Sequence, residues 1–135
     1  MSKPAPQERP ASEPVIRVTA MPADANAYGD IFGGWLMSLM DMGAGLIAAR
    51  TSHGRAVTVA MDGMQFLLPV KIGDEVSVYG CLQRTGRTSM VIGIEAWRRH
   101  RHEEIASKVT EATFTFVAVD EGGKPRPIEQ EQVSG

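Results

Sequence analysis

Asp41 is where this chain could do chemistry. It stands in the run Trp35-Leu-Met-Ser-Leu-Met-Asp-Met-Gly-Ala-Gly-Leu-Ile-Ala-Ala49, in which only Ser38 and Asp41 are polar. A helix that is apolar all round is normally buried. A lone carboxylate there carries a desolvation cost unless something pairs with it or uses it. Use as a general base or nucleophile is one explanation. The competing one is a buried carboxylate that fixes helix packing through backbone or Ser38 contacts. The segment Gly29-Asp-Ile-Phe-Gly-Gly34 leads directly into this run. At a helix start the backbone N–H groups of Phe32, Gly33 and Gly34 have no intrahelical acceptor. They are natural donors to a developing anion, aided by the helix dipole, and glycine lets a ligand approach that backbone closely. Tight helix–sheet packing would explain the same two glycines equally well. Asp30, just before the helix, reads as a cap for exposed N–H groups rather than as a catalyst.

The elements that must position these groups follow from pattern. Leu36, Leu39, Met40, Gly43, Leu46 and Ile47 recur at helical spacing, so a helix is expected from about Gly33 to Ser52, with Gly54 as its stop. His53 should help cap its C-terminal carbonyls. Before it come a short β-rich run, Val15–Met21, and a loop over Pro22–Phe32 punctuated by Asp24, Asn26 and Gly29. After it, Ala56–Leu68 reads as a strand with a bulge near Gly63. Asp74–Gln83 alternates, with Val76, Val78, Gly80 and Leu82 on one face, and Thr85-Gly86 signals a turn. Thr88–Arg99 and Ile105–Asp120 are the last two strands. Strands joined by short turns pair antiparallel, so the expected class is α+β: one antiparallel sheet and one long central helix. One flat sheet covers one side of a helix. The remaining apolar surface must meet a sheet that curls around it, a second subunit, or both, and a homodimer is expected.

Composition narrows the classes. The 135 residues suffice for one domain. Residues 1–13 and 121–135 are rich in Pro, Gly and polar residues and are expected to be a disordered N-terminal tail and a flexible C-terminal tail, leaving 14–120 as the folded domain. A net charge of −2 gives no footprint for nucleic acid. No uninterrupted apolar run reaches bilayer length, and Met1–Pro14 lacks the apolar centre of a signal peptide, so a cytoplasmic protein with no membrane partner is expected. Cys81 is the single cysteine, which rules out an intramolecular disulfide. His53, His100 and His102 form no metal-binding spacing with any Cys or acid pair. The eight methionines read as core filling or as the lining of a pocket for a flexible acyl chain.

Asn26-Ala-Tyr-Gly-Asp-Ile-Phe-Gly-Gly-Trp35, followed by Leu39-Met-Asp-Met-Gly43, resembles the hotdog-fold acyl-CoA thioesterases of the short bacterial YciA-like type. The resemblance continues through Val57-Thr-Val59, Phe66-Leu-Leu-Pro-Val70, Gly73-Asp74 and Phe114–Asp120, nearly the whole folded region. It implies a hotdog fold, an antiparallel β-sheet wrapped around the long helix. It also implies dimers that join sheets edge to edge, commonly assembled as trimers of dimers. The implied reaction is hydrolysis of acyl-CoA to a free acid and CoA, with no metal and no cofactor beyond the CoA of the substrate. The implied catalytic pair is Asn26 and Asp41, with Tyr28 standing where such proteins usually carry Asn. The plain alternative for Asn26 is a turn residue capping its own backbone.

Thioester hydrolysis needs an activated water or a nucleophile, plus donors to the oxyanion. Asp41 could deprotonate water or attack the carbonyl to form a mixed anhydride. Gly34 and Asp41 are seven residues apart, roughly 10.5 Å of helical rise, whereas a reacting carbonyl needs its donors near about 3 Å. One helix therefore does not easily supply both, and Asp41 is expected to work with Asn26 and a glycine N–H of the opposite subunit. The resemblance places CoA contacts on Arg84, Arg87, Thr88 and Ser89, where guanidiniums and hydroxyls surround a turn; a solvated hairpin turn is the bland reading. Arg98–His102 reads as a solvated basic turn. Trp35, Met40, Met61 and Met64 are the candidate acyl-pocket residues. Competing functions are a hydratase or dehydratase, disfavoured because no His lies between Asn26 and Asp41, and a non-catalytic acyl-CoA binding or sensing hotdog protein.

Overall fold

The computed structural model describes residues 8–128. Its elements are β1 (Ile16–Thr19), α1 (Gly33–Ser52), β2 (Ala56–Asp62), β3 (Glu75–Thr85), β4 (Ser89–Arg99) and β5 (Ala106–Ala118), with a short 3-10 turn at Pro22–Asp24. The strands form one sheet in the order β1-β3-β4-β5-β2, every neighbouring pair antiparallel. β3, β4 and β5 follow one another as hairpins, as their short turns require. β2 pairs with β5 rather than β3, so the connection over residues 63–74 crosses the helix start.

The sheet curls around α1, and one core joins them. Leu36, Leu39, Met40, Ala44 and Ala48 of the helix pack against Val76 and Val78 of β3, Ile92 and Ile94 of β4, and Phe114 and Phe116 of β5. Gly43 brings helix and sheet close: a β-carbon there would lie 3.1 Å from Val78 Cγ1. Two details depart from the sequence reading. The strand that opens at Ala56 ends at Asp62, because Gly63 takes φ +73° and the chain leaves the sheet there. The bulge in that strand lies at Val59, between Thr58, opposite Phe116, and Ala60, opposite Thr115. One extra residue lets both Thr58 and Met61 stand opposite the inward-facing Phe116 and Phe114.

Both tail expectations need shortening. Arg9 reaches Glu75, and Pro10 and Ser12 lie beside Tyr79 and Cys81 on the outer face of the sheet. Residues 121–128 return to the fold: Val119 and Pro125 form a bridge, and Ile128 packs against the core. Composition does not reveal these contacts, because the partners lie elsewhere in the chain: the Glu75 carboxylate for Arg9, Ser52 O and Arg55 O for Arg126, and Arg87 O for Ile128. Residues 1–7 and 129–135 of the expected tails lie outside the described residues.

Candidate active site

The start of α1 is left open. Its N-cap is Phe32, which offers no side-chain hydrogen bond, and the first turn holds no acidic residue. Trp35 N–H and Leu36 N–H both donate to Phe32 O, at 3.1 and 3.4 Å. Asp30 does not cap the helix as expected. It forms an ion pair with Lys71, because a bridge between Asp30 and Lys71 brings the two together. The two glycines divide the roles that sequence allowed. Gly33 packs: a β-carbon there would sit 3.1 Å from Phe66 Cζ. Gly34 has nothing within 4 Å of that position.

Beside these glycines lies an apolar cleft of about 330 Å³, lined by Phe32, Gly33, Leu36, Phe66, Leu67 and Val109 among others. None of the expected acyl-pocket residues lines it. Met40 is fully buried, and Trp35, Met61 and Met64 pack on the core, so the methionines here behave as gap fillers. The cleft is made instead by the segment Phe66-Leu-Leu-Pro69, which sequence reading had assigned in large part to a strand. Its signal was an apolar run without strict alternation, closed by proline.

Asn26 is held in its loop. Its Oδ1 accepts from Tyr28 N–H (2.9 Å) and Asp30 N–H (3.1 Å), and its own N–H donates to Asp30 O (2.7 Å). This is the turn-capping role. It fixes the side chain and commits the oxygen, so what Asn26 can offer a substrate is its amide NH₂. Tyr28, at the tip of the same turn, is 89% exposed.

Asp41 is half-buried within the single chain. Its Oδ1 accepts a 2.6 Å hydrogen bond from Thr58 Oγ1–H of β2. Sequence reading missed Thr58 as a partner, although it lies in the Val57-Thr-Val59 stretch; only the bulged pairing with β5 shows which way it faces. Gly34, Ser38, Met42 and Leu46 form an exposed stripe at four-residue spacing on the same helix. Met42 (53%) and Leu46 (43%), with Val57 (38%) and Val59 (56%) on the neighbouring edge strand, leave an apolar flank open to solvent. The burial expected of Asp41 is thus missing on the side where a second copy would have to supply it.

Arg84, Arg87, Thr88 and Ser89 form the β3–β4 turn, with both arginines exposed and Gly86 N–H donating to Ser89 O at 2.8 Å. The turn sits at the opposite end of the helix from the cleft. β4 runs from Ser89 to Arg99, and Arg98, one residue before its end, donates to Pro69 O beside the cleft. Eleven strand residues span roughly 35 Å. The Arg98–His102 cluster is ion-paired rather than simply solvated: Arg99 holds Glu75 (2.9 Å), and His100 Nδ1 meets the buried Asp74 Oδ1 (2.8 Å). His53 closes the helix in the left-handed conformation (φ 54°) with its backbone N–H on Ala49 O. Among the described residues, no group of three or more His, Cys, Asp or Glu is placed to hold a metal, and no helix is long and apolar enough to cross a membrane.

Comparison with known proteins completes the picture. Residues 28–105 match the Thioesterase superfamily pattern. An uncharacterized acyl-CoA thioester hydrolase of Zymomonas mobilis is 55% identical over 116 residues, 86% of this chain and 78% of the relative. The acyl-CoA thioester hydrolase YciA of Salmonella typhimurium is 52% identical over 122 residues, 88% of this chain and 92% of its own. Among solved structures, a hexameric thioesterase from Yersinia pestis superposes with a TM-score of 0.85 at 50% identity, covering 90% of this chain and 99% of that one. A hexameric broad specificity acyl-coenzyme A thioesterase, solved as a variant with one aspartate changed to alanine, gives a TM-score of 0.85 at 45% identity, covering 90% and 89%. The curled sheet, the single long helix and these likenesses agree: the chain belongs to the Thioesterase superfamily and is a YciA-like member with the hotdog fold.

Proposed function

We propose that this protein is an acyl-CoA thioester hydrolase whose active site is shared between two copies of the chain. The observation that carries the shared site is the separation of its parts. Gly33 lines the apolar cleft at the start of α1, with Gly34 next to it in the first turn, while Asp41 sits two turns further on, tied to Thr58 at the open flank. The edge strand β2 with Met42, Leu46, Val57 and Val59 is the surface that pairing would cover. A hexamer built as a trimer of such dimers follows the relatives named hexameric. The proposed site of action is the cytoplasm.

In this reading the acyl chain enters the Phe66–Leu67 cleft of one subunit. The N–H groups of Gly33 and Gly34 and the amide NH₂ of Asn26 polarise the thioester carbonyl and then hold its oxyanion. Asp41 of the other subunit removes a proton from the attacking water, or attacks the carbonyl itself to give a mixed anhydride that water then opens. Collapse of the oxyanion expels the CoA thiolate. Thr58 keeps the carboxylate pointed at the interface. Arg84, Arg87, Thr88 and Ser89 of the subunit that supplies Asp41 take the phosphates of CoA, since the same turn of the cleft-bearing subunit lies a full strand length away.

The test is release of CoA thiol, read with a thiol-reactive dye. Wild type should give signal, and Asp41→Asn and Asn26→Ala should each be nearly silent. Mixing the two silent proteins under conditions of demonstrated subunit exchange should restore part of the activity. Exchange without restoration would put the whole site in one chain. Tight binding of acyl-CoA without release of CoA by wild type would make the protein a sensor instead.

A further inference from the structure

The segment Lys124–Ile128 ends the described chain, and its anchoring is unusually complete. Arg126 uses all three guanidinium nitrogens. Nη1 donates to Ser52 O (3.0 Å), Nη2 to Ser52 Oγ (3.3 Å) and Arg55 O (3.2 Å), and Nε to Val119 O (3.0 Å). Ser52 and Val119 are buried, so their acceptors have little access to water, whereas Arg55 is exposed. A positive charge on the last carbonyls of α1 also suits the helix dipole. Gly54 makes room for the group: a β-carbon there would fall 2.7 Å from Arg126 Nη2.

Two residues further on, Ile128 N–H donates to Arg87 O at 2.8 Å, and Ala118 N–H donates to Thr88 O at 2.8 Å. The β3–β4 turn is thus held from outside its own hairpin, by the end of β5 and by the segment that Arg126 anchors. A loose turn would spread Arg87 and Thr88 over many positions, and each ligand contact would have to overcome that disorder.

We propose that Arg126 is a positioning residue for coenzyme A. It fixes a strap, Lys124–Ile128, that holds the β3–β4 turn so that Arg87 and Thr88 meet the CoA phosphates in one arrangement. The inference rests on the acyl-CoA reading given above. Arg126 touches no part of the proposed chemistry, so its effect belongs to nucleotide binding and not to the hydrolytic step.

Two substrates separate these: an acyl-CoA and the matching acyl-pantetheine, which carries the same thioester without the nucleotide phosphates. For Arg126→Gln, KM for acyl-CoA should rise about tenfold, the equivalent of one or two lost hydrogen bonds, with kcat within about twofold. Kinetics on acyl-pantetheine should not change, and calorimetry should show the matching loss of affinity for CoA alone. Ile128→Pro removes the N–H given to Arg87 and should act in the same direction, whereas Ile128→Val keeps that N–H and should behave as wild type. Equal losses on both substrates, or an unchanged KM for acyl-CoA, would overturn the proposal. Failure of both Arg126→Gln and Ile128→Pro to fold would also overturn it, since the strap would then be purely structural. Failure of the functional reading looks different: wild type would then neither bind CoA nor hydrolyse its thioesters.

Discussion

The two ends of α1 are treated in opposite ways. The C-terminal end is closed by His53 in the left-handed conformation and by the guanidinium of Arg126 on Ser52 and Arg55. The N-terminal end has no side-chain cap and faces an apolar cleft. Leaving an N-cap empty forgoes about 1 kcal/mol of stability, so the neglect at one end is not for want of means at the other. Asp30 is close enough in sequence to cap, yet it pairs with Lys71. The difference shows where to look for function: in the reading proposed above, the open end receives the thioester, while the closed end holds the fold and, through Arg126, the β3–β4 turn.

Predictions follow from trying to break this contrast. The largest effect is expected at Asp41, which serves neither end. Asp41→Asn should cut turnover about 100- to 10,000-fold, the range for losing a general base, while circular dichroism and the melting temperature stay near wild type. Asn26→Asp is the sharper probe of the open end. It keeps the oxygen that accepts from Tyr28 and Asp30 N–H but replaces the NH₂ donor with an anion. Activity should fall about 100-fold, as for a lost oxyanion donor, with the fold unchanged. Normal activity would reduce Asn26 to a turn residue. Thr58→Val should lower kcat about tenfold by freeing the Asp41 carboxylate from a charge-assisted hydrogen bond.

At the closed end the expected change is in stability instead. Gly54→Ala pushes a methyl group into Arg126 and should lower unfolding free energy by about 1–3 kcal/mol in urea titrations, leaving kcat per folded molecule close to normal. The smallest effect lies away from both ends, at Glu75. The hydrogen bond from Arg99, with the further charges of Arg17 and Arg9, holds its carboxyl below the ordinary 4.5. A carboxylate with a depressed value in the folded state stabilises the protein above the unfolded value, and that contribution fades as pH falls through the folded one. Unfolding free energies from urea titrations at pH 7 and at pH 3 should therefore differ more in wild type than in Glu75→Gln, by less than about 1 kcal/mol.

How much of this was legible depended on how local the signal was. The helix Gly33–Ser52 could be read to its ends because Gly33-Gly34 and Gly54 punctuate a run with helical spacing. The β3–β4–β5 meander was equally readable from alternation and the Thr85-Gly86 turn. Asp41 stood out as a lone carboxylate in an apolar run, whereas Asn26 drew notice only through the resemblance to hotdog thioesterases. What escaped notice depends on pairing across the chain. Phe66–Leu68 looked like strand because apolar residues were counted before their partners were known. Of the methionines chosen for the pocket, Met40 lies in the core and Met61 and Met64 pack against it; a side chain's periodicity does not tell a packed interior from a lined cavity. Arg126 was hidden in a stretch whose proline and glycine content resembles disorder, and its acceptors are carbonyls of distant segments.

Val59 is a surplus residue. β5 offers it no opposite number, and a strand shortened by that one position would still turn Thr58 and Met61 to the same side. The sheet on its own gains nothing from it and keeps an oily isopropyl group in water at an unguarded margin, a known invitation to unwanted association. In the dimer proposed above, the kink at Val59 shapes the edge at which two copies meet. Deleting Val59 should accordingly leave a monomer that folds, and should weaken the bond between monomers.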